Sequence, residues 1–137
     1  AAVADFRPVA VAGHKIKKDD TGGVPDPIAL ERTADVLAEV VAARDAEGRR
    51  QVVVGFAAET GDSTGSVLDH GRAKLARKGC DLLVVNEVGF DKTFGQDSNT
   101  VHVLRRGSEE VLDIGPASKD VIATALVEIL ASRLATP

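Results

Sequence analysis

The sequence predicts an α/β fold in which helices flank a mainly parallel sheet and a β-hairpin extends it. Two apolar stretches, Val52–Phe56 and Asp81–Asn86, enclose one amphipathic helical stretch over residues 66–78. This order is typical of a βαβ unit, whose strands are parallel and whose connection is right-handed. With 137 residues, 44% apolar and 28% charged, the chain has the balance of one globular domain.

The opening segment "AAVADF" predicts the end of a strand with neighbours on both sides, because it is short and almost wholly apolar. Since the chain opens on such a segment and not on methionine, we expect a fragment whose upstream part supplies further strands. Residues 13–32 then break the apolar pattern with three glycines and two prolines amid charge. They predict a flexible flap loop, with plain disorder as the alternative.

The next segment predicts an amphipathic helix. Thr33 can cap its start and Gly48 can end it. A second helix is predicted from Ser66 to Lys78, with Gly79 as its end. The positions expected to face inward are Val36, Leu37, Val40 and Val41 in the first helix and Val67, Leu68, Leu75 and Ala76 in the second.

The last third of the chain predicts a hairpin followed by a long helix. The stretch "TVHVLRRGSEEVLDI" alternates and turns at Gly107, which is typical of a hairpin at an exposed edge. Residues from Ser118 to Ala135 have apolar positions at helical spacing. The positions expected to face the sheet are Val121, Ile122, Ala125, Leu126, Ile129, Leu130 and Leu134.

Charge and composition narrow the class of protein. A net charge of −4 argues against nonspecific binding to nucleic acid or anionic lipid. No apolar run approaches the roughly 18 residues that a membrane span needs, and no leader segment is evident, so we expect a cytoplasmic protein. The single cysteine, Cys80, cannot form an internal disulfide and is predicted to be a small buried residue, not a nucleophile.

Ligands of open parallel sheets gather at the carboxyl ends of the strands, which here are followed by "GFAAETGDSTGS" and "NEVGFDKTFGQDSN". In the first loop, Gly55 allows close backbone approach and Phe56 offers a flat apolar wall. Glu59 and Thr60 supply an acceptor and a donor. The alternative is a simple strand end with Phe56 in the core. Neither loop has the spacing of a P-loop or of GxGxxG.

Several polar residues have a functional and a structural interpretation. The run "KIKK", Lys15–Lys18, can close over phosphates or lie in solvent. Lys74 and Lys78 stand on one helix face, or they offset the helix dipole by about 0.3–1 kcal/mol each. Asp5 can face a ribose or cap a turn. The histidines share no metal-ligand spacing and receive no catalytic role; they are His14, His70 and His102.

Six segments occur in the order found in bacterial phosphopantothenate–cysteine ligase, the synthetase part of the bifunctional coenzyme A biosynthesis flavoprotein. They are "AAVADFRP", "KIKK", "ERTADVLAEV", "VVGFAAET", "KLARKGCDLLVVN" and "FGQDSNTVHVL". The chain resembles that family over essentially its whole length, because "AAVAD", "KIKK" and "GFAAET" at compatible spacing are specific together. The resemblance implies a three-layer, Rossmann-like domain that forms a homodimer.

The resemblance also implies a CTP-dependent ligase that uses Mg²⁺. The carboxylate of 4′-phosphopantothenate attacks the α-phosphate of CTP, which gives an acyl-cytidylate and pyrophosphate, and the amine of L-cysteine then displaces CMP. Lys15 matches the flap lysine that serves the phosphates and formation of the intermediate, which makes it the catalytic candidate. The other positions that match CTP contacts are Ala1, Asp5, Ala34, Asp35, Val36, Leu37, Phe56, Lys74 and Lys78.

Some features of the family are not in this chain. Its upstream glycine-rich segment, its intermediate-handling asparagine and its FMN-binding decarboxylase half lie outside the sequence. Relatives often have Asn-Pro-Asp where this chain has Thr33-Ala34-Asp35. The resemblance leaves the metal ligands unassigned. An alternative from another class is a noncatalytic Rossmann-like nucleotide-binding or assembly module, in which the lysine loop is only a surface feature.

Overall fold

The computed structural model describes residues 3–15, 27–88 and 98–135. The chain divides into two compact units, residues 1–36 and residues 37–137. The predicted flap, residues 13–32, falls in the first unit, and its central residues 16–26 lie outside the described part. Its final residues, Leu30–Arg32, form a strand.

The first unit contains a small antiparallel ribbon. Strand β1, Phe6–Pro8, pairs with β2, Leu30–Arg32, and both strands are exposed. The ribbon carries an ion pair of 2.7 Å between Arg7 Nε and Glu31 Oε1. Of the described part of the opening segment, residues 3–5 lie outside any strand. The predicted buried strand is therefore not present in residues 3–5, and a short exposed one begins at Phe6.

Thr33 does not cap a helix. Its hydroxyl donates to the backbone carbonyl of Ala4, and its backbone N–H donates to the carbonyl of Asp5 at 3.0 Å. These bonds continue the β1–β2 ribbon by one residue. Helix α1 is Val36–Ala46 and begins only after them.

The second unit contains a four-stranded mixed sheet in the order β3-β4-β5-β6. Strands β3, Val54–Glu59, and β4, Leu82–Glu87, are parallel, and helix α2, Val67–Lys78, connects them. This is the predicted βαβ unit. Strands β5, Ser98–Arg105, and β6, Val111–Ser118, form the predicted hairpin, which turns at Gly107 with φ of 76°.

Helices cover both faces of this sheet, which confirms the α/β class with flanking helices. Val41 of α1 and Leu75 of α2 pack with Leu83 and Val85 in one core. On the opposite face, Ile122 of helix α3, Lys119–Ala135, packs in a second core. The second core also contains Leu82, Val84, Val101 and Val103. No helix in the described ranges is both long and apolar enough to cross a membrane.

Helix α2 has the ends that its sequence predicts. The Ser66 hydroxyl accepts from the Asp69 backbone N–H at 3.2 Å, and the Asp69 carboxylate accepts from the Ser66 N–H at 2.9 Å, which forms a capping box. Gly79 ends the helix in the left-handed conformation, with φ of 68°. Gly71 allows the helix to approach the sheet, since a Cβ there would lie 2.9 Å from Leu104 Cδ1.

The helices bury fewer apolar positions than the spacing predicts. In α1, Val36 and Val40 are exposed, whereas Arg44 is buried. Arg44 is buried because it pairs with the buried carboxylate of Asp81. The other predicted inward positions that are exposed are Ala76, Val121 and Leu134. Helices α1 and α3 are apolar around much of their circumference, so spacing alone could not distinguish their face toward the sheet.

Candidate functional site at the carboxyl edge of the sheet

Strands β3 and β4 end together at one edge because they are parallel. Glu59 is the register partner of Glu87, and each is the last residue of its strand. The strand that was expected to stop at Phe56 continues to Glu59. The segment "GFAAE" is therefore strand and not loop, which means that its side chains alternate between the two faces of the sheet.

Phe56 is exposed to solvent in the described part of the structure. Its side chain is 70% exposed, although its register partner Val84 is buried. The interpretation of Phe56 as a core aromatic is therefore wrong. An exposed aromatic ring on an otherwise apolar strand is available as a flat wall for a planar ligand.

Gly55 serves packing and not ligand approach. It alternates with Phe56 and faces the α1 side of the sheet. A Cβ at this position would lie 2.8 Å from Leu37 Cδ2 and 2.9 Å from Leu83 Cδ1. The glycine lets helix α1 pack closely on β3, so the expectation that it admits a ligand was wrong. Leu37, a predicted CTP contact, packs partly buried against this core.

Lys74 reaches the carboxyl edge of β3. Its Nζ forms an ion pair with Oε1 of Glu59, and the two side chains are 29% and 16% exposed. Helical side chains lean toward the helix N-terminus, which in a βαβ unit lies at the carboxyl edge of the preceding strand. Lys78 lies one turn further from that edge, as the last residue of α2, and is half-buried.

Two buried acceptors at this edge have no hydrogen-bond donor among the described residues. They are Oε1 of Glu59, whose contact with Lys74 lacks hydrogen-bond geometry, and Oδ1 of Asn86. Asn86 is the register partner of Ala58, so it shares the sheet face of Phe56, and Glu59 lies on the other face. Sequence reasoning treated Asn86 only as the end of a strand.

The turn between β3 and α2 is held by Asp62. Its Oδ1 accepts from the Thr64 backbone N–H at 2.7 Å and from the Thr64 hydroxyl at 2.5 Å, and His70 Nε2 lies 3.1 Å away. The hydrogen bonds from Thr64 lower the pKa of Asp62 to about 2. The sequence had suggested only a polar loop here. The signal that could have revealed the turn is the Asp-Ser-Thr-Gly run that begins at Asp62.

The remaining predicted site residues lie in the first unit or outside the described part. Ala1 is outside it. Lys15 is described and exposed, while the rest of the "KIKK" run is not described. Exposed positions in the first unit also include Asp5, Ala34, Asp35 and Val36. Within the second unit, the structure places Phe56 on β3 and brings Lys74 to the end of the same strand.

No metal cluster emerges from the described ranges: they hold no group of three or more His, Cys, Asp or Glu that could bind a metal ion. His102 Nδ1 lies 2.7 Å from Asp113 Oδ1, and His70 contacts Asp62, so both histidines have carboxylate neighbours. We therefore assign no metal ligand.

A cavity of about 620 Å³ lies at the amino edge of the sheet, away from the ends of β3 and β4. It is lined by the start of β4 and the end of α3, with Arg50, Arg105 and Arg133 among its residues. It contains none of the sequence-predicted site residues, so the candidate site remains at the carboxyl edge.

Known proteins resemble this chain over nearly all of its length. The coenzyme A biosynthesis bifunctional protein CoaBC of Mycobacterium tuberculosis (strain ATCC 25618 / H37Rv) is 52% identical over 139 residues, covering 98% of this chain and 32% of the relative. The protein of that name from Escherichia coli (strain K12) is 35% identical over 134 residues, covering 97% and 31%. A crystal structure of the C-terminal domain of CoaBC has a TM-score of 0.66 at 28% identity, covering 98% of this chain and 52% of that chain.

The fold and these matches define an α/β domain of the kind found in coenzyme A biosynthesis proteins. Residues 1–134 match the family described as the DNA/pantothenate metabolism flavoprotein C-terminal domain. The chain belongs to this family, which confirms the resemblance seen in the sequence. It spans about a third of the length of the curated relatives it matches.

Proposed function

We propose that this chain is the CTP-binding part of a phosphopantothenate–cysteine ligase. The observation that carries the proposal is the family match over residues 1–134, in which the relatives are coenzyme A biosynthesis proteins. The 4′-phosphopantothenate carboxylate attacks the α-phosphorus of CTP, and the bond to the leaving pyrophosphate breaks. The cysteine amine then attacks the acyl carbon, forms the amide and releases CMP together with a proton.

The chemistry requires neutralisation of negative charge. A carboxylate must approach a triphosphate, so cations that screen the like charges favour both binding and reaction. Lys15, Lys74 and Lys78 are the proposed cations. Mg²⁺, where bound, would bind the nucleotide phosphates and neutralise more of their charge. Since the described residues offer no cluster for it, the chain's own contribution is assigned to the lysines.

The nucleoside requires a flat surface and polar contacts. Phe56 supports the proposal because its ring is exposed on β3, the strand whose last residue pairs with Lys74, although the two side chains lie on opposite faces of the sheet. Asp5 is the proposed partner of the ribose, because its carboxylate can accept hydrogen bonds from the ribose hydroxyls. Residues Ala34–Leu37 are the remaining proposed nucleotide contacts. As in the family, the functional form is proposed to be a homodimer.

Nucleotide titration tests the proposal. Calorimetry of this domain together with its upstream segment should show binding of CTP with Mg²⁺, and weaker binding of ATP and GTP. No binding, or equal binding of the three nucleotides, would favour a noncatalytic binding or assembly module instead.

A single substitution tests the catalytic assignment. In the full-length protein, Lys15→Gln removes the cation that is proposed to stabilise the transition state, so we expect acyl-cytidylate formation to fall by about a hundredfold or more. Lys119→Gln, at an exposed position on α3, is the control and should leave the rate unchanged. Yield of the intermediate at the wild-type rate in Lys15→Gln would contradict the assigned role.

A further inference from the structure

The carboxylate of Glu59 has no part in the reaction as described so far, although it contacts one of the proposed cations. We propose that Glu59 is a positioning residue, which holds the Lys74 ammonium at the carboxyl edge of β3 where a nucleotide phosphate is received. This inference rests on the proposed function. It assigns a role to the Glu of "GFAAET" through Lys74 and not through direct contact with substrate.

The ion pair holds a flexible side chain in one place. A lysine has several rotatable bonds, so its ammonium would otherwise sample a wide arc in solvent. Glu59 is the last residue of β3 and is fixed by pairing of that strand with β4. The ammonium of Lys74 is therefore anchored to the most rigid element at this edge. A cation that is already in position loses less freedom when it binds a phosphate.

The burial of Glu59 distinguishes this pair from a surface ion pair. Its side chain is 16% exposed, and its Oε1 is a buried atom in contact with the Lys74 ammonium. On the same helix, Arg72 lies 3.6 Å from Glu109, whose side chain is 95% exposed. A carboxylate at this depth is unfavourable unless a cation pairs with it, so the contact constrains both groups.

The charge order at this edge also suits an incoming phosphate. Lys74 stands between a fixed carboxylate and solvent, with its own side chain 29% exposed. A phosphate that approaches from solvent meets the ammonium before it meets the carboxylate. The ammonium has three N–H donors, so it can contact a phosphate oxygen while it stays paired with Glu59.

Kinetics of the full-length protein test the inference. Glu59→Gln keeps the size of the side chain and removes its charge. Because Lys74 is proposed to bind phosphate in the ground state and the transition state alike, KM for CTP should rise about tenfold while kcat changes less than about twofold. Glu59→Asp keeps the charge and should recover part of the loss. Glu109→Gln removes an exposed carboxylate that pairs with Arg72 of the same helix, and it should have no effect.

A double-mutant cycle separates positioning from a structural role. If Glu59 acts through Lys74, then Glu59→Gln should cause no further rise in KM once Lys74→Gln is present. Effects that multiply would show that Glu59 acts independently of Lys74 and would overturn the inference. Failure of the wild-type protein to use CTP would overturn the proposed function and this role with it.

A second measurement needs no nucleotide. Reductive methylation of Lys74, followed by mass spectrometry and normalised to exposed Lys119, should be several-fold faster in Glu59→Gln than in wild type. The ion pair holds the ammonium against the end of β3, and loss of the pairing carboxylate leaves it more accessible to the reagent. An unchanged Lys74 rate in the folded variant would show that Glu59 does not hold this ammonium, and would overturn the inference.

Discussion

At the scale of single residues, the main surprises are polar contacts between distant segments. Asp81 is buried, accepts from the Val53 backbone N–H at 2.8 Å and from Arg106 at 3.2 Å, and pairs with Arg44. Its position before an apolar run does not reveal this network, because its partners come from separate elements. The ion pair of Glu59 and Lys74 was missed for a related reason. The contact depends on the direction in which the Lys74 side chain leaves helix α2, which the spacing of Lys74 and Lys78 does not show.

The Asp62 turn predicts a specific dependence of stability on pH. Its pKa is lowered from 3.8 to about 2 by the hydrogen bonds from Thr64. The charged form is therefore favoured in the folded protein, and this stabilisation is complete above about pH 4 and is lost as the pH falls through about 2. We expect Asp62→Asn to be less stable than wild type at pH 5, and the difference to shrink toward pH 2.

Urea unfolding of both proteins at several pH values measures this difference. Asp69 of the capping box is present in both proteins, so its own lowered pKa contributes equally and cancels. Curves for wild type and Asp62→Asn that stay parallel from pH 5 to pH 2 would mean that Asp62 is not stabilised in its charged form.

At the scale of elements, the sequence predicted the helices and strands that the structure describes in the second unit, since each contains apolar residues at the spacing of its element. It did not predict that β3 runs on to Glu59, because alanine and glutamate favour strands weakly and only pairing with β4 holds them there. Nor did it predict the β1–β2 ribbon, whose strands are short and exposed. Phe56 could have been core or surface, and its exposure depends on which elements cover its face of β3, since its register partner Val84 is buried.

Gly71 of helix α2 allows two opposing effects on stability to be compared, close packing and helix propensity. Gly71→Ala should gain about 1 kcal/mol from helix propensity. The new methyl group would lie 2.9 Å from Leu104 Cδ1 and 3.0 Å from Val85 Cγ2, both in the core. Overpacking of this kind typically costs about 1–3 kcal/mol, so we expect a net destabilisation.

Chemical denaturation gives the free energy of unfolding for this comparison. The control is Ala73→Gly, at an exposed position two residues further along α2. It should cost about 1 kcal/mol through propensity alone. A Gly71→Ala protein more stable than wild type would show that α2 can move away from the sheet at little cost.

At the scale of the whole molecule, the chain divides into two compact units, of which the second contains the four-stranded sheet. The sheet of the second unit packs helices on both faces, and its central strand β4 is buried. Residues proposed to contact CTP are divided between both units. Sequence alone indicated the family because its motifs occur across both units in the family's order. It could not supply the arrangement of side chains within the site, which depends on strand register and helix packing.

The single cysteine provides a probe for the cooperativity of the second unit. Cys80 is fully buried in the core formed by α1, α2 and the sheet, and burial raises the pKa of its thiol, so the reactive thiolate is disfavoured in the folded state. We therefore expect labelling of Cys80 to require unfolding of the second unit as a whole.

Thiol labelling at pH 8, compared with the rate for the denatured chain, yields an opening free energy for Cys80. We expect this value to equal the free energy of unfolding from urea denaturation, because the residue lies where two helices and the central strand meet and has no local route to solvent. Gly71→Ala should lower both values by the same amount if the unit opens as one. A labelling free energy well below the unfolding value would instead show that the end of α2 and the start of β4 open locally.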